Sequence, residues 1–335
     1  MHSRRRALIS LASLPLAAAA WRSRAAEPKA RRTVSFAPGD VAVGCTLLNN
    51  PKDDHAGRGR ILHYDSNLKL RSTLWLNDTT HIVQGTAFGH DRTLWAFDSF
   101  AYKIVRIGAD GHRRDNFTQA PPRSFAHISF ASDGRFFMGE NYVGEKSRVP
   151  LRTTLPFMPG TRRLGDGHLF EFSANGKLLR EHATPVHGGM GGFQGLTAAA
   201  LTPDAKSVVY TSESGPKIFH FDLLTSRPLA NIADFADNTG KFFFDVAFDS
   251  QGRLLVVRGT GVDALDMQGK VLQRYPLQGF GWASMSRPVT ANHVYVTNFF
   301  SGDIAKLDLA SGAVLATANT GIKKSLSGAA EMPPA

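Results

Sequence analysis

The feature that most limits what this chain can fold into is a strand, loop, strand, turn, strand unit that recurs along it. Its best-formed copy is His293–Ala316, HVYVTNFFSGDIAKLDLASGAVLA. Apolar residues there cluster or alternate over five or six positions, and Gly with Asp or Ser marks the breaks, which is the pattern of short antiparallel strands joined by tight turns. Looser copies are GRILHYDSNLKLRSTLWL, GTAFGHDRTLWAFDSFAYKIVRIGADG, HISFASDGRFFMGENYVG with GHLFEFSANGKLLREH, GLTAAALTPDAKSVVYTSESGPKIFHFD, and FDVAFDSQGRLLVVRGTGVDALDMQGKVLQRY. Aligned, each unit offers a small-residue strand, a turn of the D/N-x-G kind, a bulky apolar strand, a loop, and two further strands. Small residues in the first strand suit a crowded central axis. Units of about 35–50 residues with four short antiparallel strands describe propeller blades. The expected fold is all-β, a six-bladed β-propeller of four-stranded antiparallel blades.

The ends of the chain read differently. Met1–Ala20 has Arg4, Arg5 and Arg6, then an apolar run of Ala7–Ala20 that is too short to span a bilayer. This is the pattern of a secretory leader, here residues 1–26, and Arg5-Arg6-Ala7-Leu8-Ile9 resembles the twin-arginine export signal. The mature protein is expected to be periplasmic or secreted, with no transmembrane segment. A single propeller domain is expected over 33–317, with Thr33–Phe36 closing the last blade. An insertion is expected at 144–167, and a disordered tail at 318–335 from its Gly- and Pro-containing composition.

The net charge of +11 includes Arg4, Arg5, Arg6, Arg22 and Arg24 of the leader, so the remainder carries +6. Its Lys and Arg are interspersed with Asp and Glu, with no run dense enough for a nucleic-acid arm. The single cysteine, Cys45, excludes an intrachain disulfide and a Cys-based zinc cluster, and its apolar setting, VAVGCTLL, reads as a buried thiol.

The copies carry resemblances. His293–Ala316 looks like the YVTN-type propeller repeat, and GTAFGHDRTLWAFDSFAYKIVRIGADG and FDVAFDSQGRLLVV look like NHL-type repeats. GLTAAALTPDAKSVVYTSESGPKIFHFD resembles the matching stretch of the senescence-marker-protein/gluconolactonase (lactonase-like) superfamily. Together these cover most of Gly59–Ala316.

In a propeller, residues entering the innermost strands and loops between second and third strands share one face. The first set is Gln84, His127, Gln194, Asp245 and Trp282; the second includes Asp98, Glu140, Asn141, Glu213, Arg258, Asn298, Phe299 and Phe300. Carboxylate and amide oxygens from several blades are what a hard divalent cation such as Ca²⁺ requires; equally, such residues end strands by binding loop amides. The metal candidates are Glu140, Glu213 and Asp245. His127, Glu140 and Glu213 are the catalytic candidates, because imidazole and carboxylate move protons near neutrality. Streptogramin-lyase-like propellers resemble this in using His and Glu on that face. Asp98, Asn141, Gln194, Arg258, Trp282 and Asn298 are the ligand-binding candidates.

The lactonase-like family's metal set is not reproduced. Its Asn of the N-G-L motif falls on Gln194, the Asn of the preceding blade on Ala126 beside His127, and its Asp on Phe244, one place before Asp245. Two functions follow as expectations. One is a lactonase-like hydrolase or lyase acting on a small, anionic molecule, metal-assisted or through His and Glu. The other is a non-catalytic ligand-binding or protein-assembly propeller, with the basic insertion 144–167 as the surface for a protein partner.

Overall fold

The structure is a computed structural model. It describes residues 34–52, 57–79, 84–99, 101–120, 122–141, 167–186, 195–212, 215–235, 242–288 and 292–334. The leader 1–26 and most of the insertion 144–167 lie outside the described residues.

Six antiparallel sheets follow one another in the order of the repeats. The first blade contains β1 (Val41–Leu48), β2 (Gly57–Tyr64) and β3 (Leu70–Leu76). The second is β4 (Gln84–Phe88), β5 (Leu94–Asp98), β6 (Lys103–Ile107) and β7 (Arg113–Phe117). The third is β8 (Phe125–Phe130), β9 (Phe136–Glu140), β10 (Leu169–Phe172) and β11 (Leu178–His182). In the fourth, β12 (Ala198–Leu201), β13 (Ser207–Thr211) and β14 (Lys217–Asp222) are followed by two short edge pieces, β15 (Arg227–Pro228) and β16 (Ala233–Asp234). The fifth is β17 (Asp245–Phe248), β18 (Leu254–Val257), β19 (Gly261–Leu265) and β20 (Val271–Pro276). The sixth is β21 (Trp282–Met285), β22 (His293–Asn298), β23 (Asp303–Asp308) and β24 (Val314–Asn319). No helix occurs among the described residues, so none there is long and apolar enough to cross a membrane.

The turns explain why the repeat was visible. Asp65, Asp110, Asp249 and Asp266 each accept the amide two residues on, at 2.9–3.0 Å. A short carboxylate replaces the missing ladder partner at the turn and fixes strand register locally.

Ring closure differs from expectation. Residues 34–36 form no strand, and the Phe36 amide donates to the Ala109 carbonyl at 2.7 Å. The tail expected to be disordered instead contains β25 (Leu326–Glu331), which pairs antiparallel with β1 and is the innermost strand of the first blade. Its sequence, LSGAAE, is rich in small residues because the innermost strands crowd the axis. Gly, read together with Pro as a sign of disorder, is there, with the small Ser and Ala, a condition for packing. The innermost strands β25, β4, β8, β12, β17 and β21 contact one another in turn around a closed ring.

The core lies between blades. One cluster joins Ile61, Phe97, Phe125, Phe136 and Phe172 across the first three blades, and another joins Val43, Leu62, Tyr295 and Leu326 across the closure. Phe136 stacks on Phe172 at 5.1 Å, with Phe117 edge-on to Phe172 at 5.5 Å. The first contact lies within the third blade and the second ties it to the second blade, so the apolar faces are buried by ring formation.

Candidate functional site

Most of the described residues expected to act, on the face where the innermost strands begin, bond to the backbone. Asp98 ends β5, fully buried, and its Oδ1 accepts the Ala101 amide at 3.0 Å. Asn298 ends β22; its Oδ1 accepts the Phe300 and Ser301 amides at 3.0 and 3.1 Å, and its Nδ2 donates to the Phe280 carbonyl. Trp282 is buried and donates from Nε1 to the Gln278 carbonyl at 3.1 Å. Arg258 pairs with Asp263 of its own blade. Gln194 and Glu213 lie outside the described residues, as does the side chain of Gln84.

One interblade group does form there. Glu140 is 1% exposed and takes Arg123 at 2.6 Å on Oε1, while Oε2 accepts the Gly167 and His168 amides at 3.2 and 3.3 Å. Next to it, Asn141 donates from Nδ2 to Ser99 Oγ at 3.3 Å, joining the second and third blades.

Asp245 is bonded in the same way. Oδ2 accepts the Met285 amide at 2.8 Å and Ser284 Oγ at 3.0 Å; Oδ1 accepts the Val246 amide and Arg287 Nη1 at 2.8 and 3.1 Å. A cation at Glu140 or Asp245 would have to displace an arginine and backbone amides already in place. The described members of the expected metal set therefore do not fit a divalent ion, and no group of three His, Cys, Asp or Glu among the described residues is arranged to hold one.

His127 is a different case. It sits on β8, 1% exposed, and neither ring nitrogen has a hydrogen-bond partner among the described residues. Two glycines make its space. A Cβ on Gly139 would lie 2.5 Å from the imidazole Cε1, and one on Gly85 (φ +61°) would lie 2.4 Å from its Cα. Burial pushes the imidazole pKa down to about 3, with the positive charge of Arg287 acting the same way. The ring is neutral at physiological pH and can only exchange hydrogen bonds or accept a proton from a group that reaches it.

The opposite end of the channel, where the innermost strands finish, contains a cavity of about 350 Å³. Its wall includes Thr86, Phe88, Phe130, Phe248, Arg287 and Glu331, so at least five blades contribute. Arg287 follows β21 and braces the ring: Nη1 donates to Asp245 and to the Val246 carbonyl, and Nη2 to the Ala199 carbonyl at 3.2 Å. Glu331 closes β25, 4% exposed, and shares a hydrogen bond with His293 at 3.1 Å through Oε1. Its Oε2 has no partner among the described residues, nor has Oγ1 of Thr86.

Thr86, Arg287 and Glu331 are not among the residues expected to act, which belong to the other face. The available signal was charge at the ends of innermost strands: SRPV after β21 and the Glu that ends LSGAAE.

No family model matches the chain, and no curated protein matches it in sequence. Solved structures match its fold. A chain of the nidogen/laminin complex superimposes with a TM-score of 0.58 at 14% identity, over 87% of this chain and 98% of that one. A catalytically inactive virginiamycin B lyase from Staphylococcus aureus, solved with quinupristin, gives 0.52 at 12% identity over 87% and 88%. A gluconolactonase from Xanthomonas campestris gives 0.51 at 14% identity over 79% and 85%. The chain is a six-bladed propeller, and it is similar in fold to lactonase and lyase propellers.

Proposed function

We propose that this chain is an exported ligand-binding propeller whose small molecule occupies the channel cavity formed by the ends of the innermost strands. The observation that carries this reading is the cavity wall, mostly apolar and held by a rigid ring, with the charged side chains of Arg287 and Glu331 and the hydroxyl of Thr86. Concave, largely preformed, apolar sites with few polar groups are how proteins hold small molecules. The carboxylates of the other face, Asp98, Glu140 and Asp245, are bonded to backbone amides or arginines, which favours binding over metal-assisted hydrolysis.

A thermal-shift screen of small organic molecules on the purified chain tests this, since a ligand at about 100 times its Kd adds about 2.7 kcal/mol to stability. Hits should shift the native protein and fail to shift Ala200→Phe, which fills the cavity from β12. Equal shifts in a folded Ala200→Phe protein would place the ligand elsewhere. Export is read separately, by the compartment reached by a reporter fused after Ala26.

A second reading keeps an enzyme. The ring nitrogens of His127 have no partner among the described residues, and the structural neighbours include a lyase and a gluconolactonase; on this reading a bound substrate group would have to raise the basicity of the buried ring for it to take a proton. Glu213, expected from the sequence to act with His127, and most of the basic insertion 144–167 lie outside the described residues. Turnover of lactone or cyclic-ester substrates that vanishes in both His127→Ala and Glu213→Ala would support it; turnover unchanged in both would refute it.

A further inference from the structure

The polar groups of the cavity are unequal in how far they are already satisfied. Arg287 has its charge offset by Asp245 at 3.1 Å and gives further hydrogen bonds to two carbonyls. Glu331 has one oxygen on His293 and the other on nothing among the described residues, although the residue is almost fully buried. Leaving a carboxylate oxygen unbonded away from water is costly unless something else donates to it. Thr86 offers a second unpartnered oxygen from β4, the strand packed beside β25. Both residues line the cavity; the two unpartnered oxygens are themselves covered, and a change of rotamer would bring either one to a bound donor.

Two acceptors on adjacent strands, one of them anionic, match a group that carries several donors and a positive charge. A primary ammonium has three N–H donors and no acceptor. The remaining wall supplies Phe88, Phe130 and Phe248, whose ring faces attract cations, together with Ile128 and Leu201. An anion meets the opposite arrangement: an arginine that is already paired and a carboxylate that repels it.

We propose that the ligand of this cavity is a small apolar amine, a hydrocarbon or aromatic body whose ammonium sits against Glu331 and Thr86. This inference rests on the cavity being the binding site, and it departs from the expectation of an anionic ligand.

Three probes sharing one ring decide it: benzylamine, benzyl alcohol and benzoate, titrated calorimetrically into the full chain. Benzylamine is expected to bind about tenfold or more tightly than benzyl alcohol, as charge-assisted hydrogen bonds outweigh neutral ones. Glu331→Gln should remove that advantage and leave benzyl alcohol unaffected. Should Glu331→Gln fail to fold, Thr86→Val gives the second test, with benzylamine weakened severalfold and benzyl alcohol little changed. Benzoate binding tightest and weakening in Arg287→Lys would overturn the ligand class while leaving the cavity as the site. Equal affinity for all three would also overturn it, showing an apolar cavity without charge preference. If none binds, this inference fails; the cavity reading itself then stands or falls with Ala200→Phe in the broader screen.

Discussion

Glu331 lies opposite Val41 in the antiparallel ladder, so the last strand of the chain is hydrogen-bonded to the first. The blade built outward from β1 obtains its axial strand from the far end of the sequence. Closure of this kind removes the exposed edge that β1 would otherwise present.

Truncation after Asn319 is therefore expected to be severe. It removes Leu326 and Met332, both buried, as well as Ala329 and Ala330. Burial of a Leu or Met side chain is worth about 1.5–3 kcal/mol each, against a total stability of about 5–15 kcal/mol for a typical domain. Urea unfolding should lose its single cooperative transition, with aggregation through the uncovered β1 edge. An unchanged midpoint would mean that the tail contributes nothing to the ring.

Gly139→Ala should destabilise the third blade by about 1–3 kcal/mol, the usual result of overpacking a filled interior. Its new methyl would meet His127 Cε1 at 2.5 Å and Leu196 Cβ at 2.6 Å. Part of the loss should return in the double variant with His127→Ala, because that removes one of the two obstacles. Denaturation of the four proteins of the cycle checks this; strictly additive effects would show that Gly139 and His127 do not share space.

Stability should fall as the solution is acidified below neutrality. The folded-state pKa of His127 is about 3, against about 6.5 in an unfolded chain. Between those values the unfolded chain binds one more proton, so its stability contribution is present above about pH 6.5 and is lost progressively as pH falls toward about 3. One such group gives a slope of about 1.4 kcal/mol per pH unit. His63, His182 and His220 are also lowered, burial being the largest cause for each, and add in the same direction. Unfolding free energies measured from about pH 7 to about pH 5 should show the slope, and His127→Leu should flatten it by about one proton's worth. A slope identical in that variant would mean that His127 titrates normally in the folded protein.

The architecture was legible because each blade states its own rules locally. Asp65, Asp110, Asp249 and Asp266 mark turns whose geometry depends only on a few neighbours. Ring closure was not legible, because pairing Val41 with Glu331 joins positions at the two ends of the propeller and leaves no local sign. LSGAAE nevertheless shares the small-residue character that marks the other innermost strands. Of the candidate residues, His127 is buried on an innermost strand, and Asp98 and Asn298 are bonded to loop amides. A carboxylate or amide that ends a strand looks the same in sequence whether it binds a ligand or, as in these two, the next loop's amides. Arg287, Thr86 and Glu331 were passed over for the opposite reason: each is one polar residue at the end of an apolar strand, and only the closed ring puts them around one cavity.

The most direct test of the central claim is a set of crystals soaked with a library of small organic fragments, read by difference density. The account predicts that bound fragments collect in the cavity between Phe88, Phe130, Arg287 and Glu331. Fragments gathering instead on the opposite face around Asp98, Glu140 and Asn298, with the cavity unused, would contradict it.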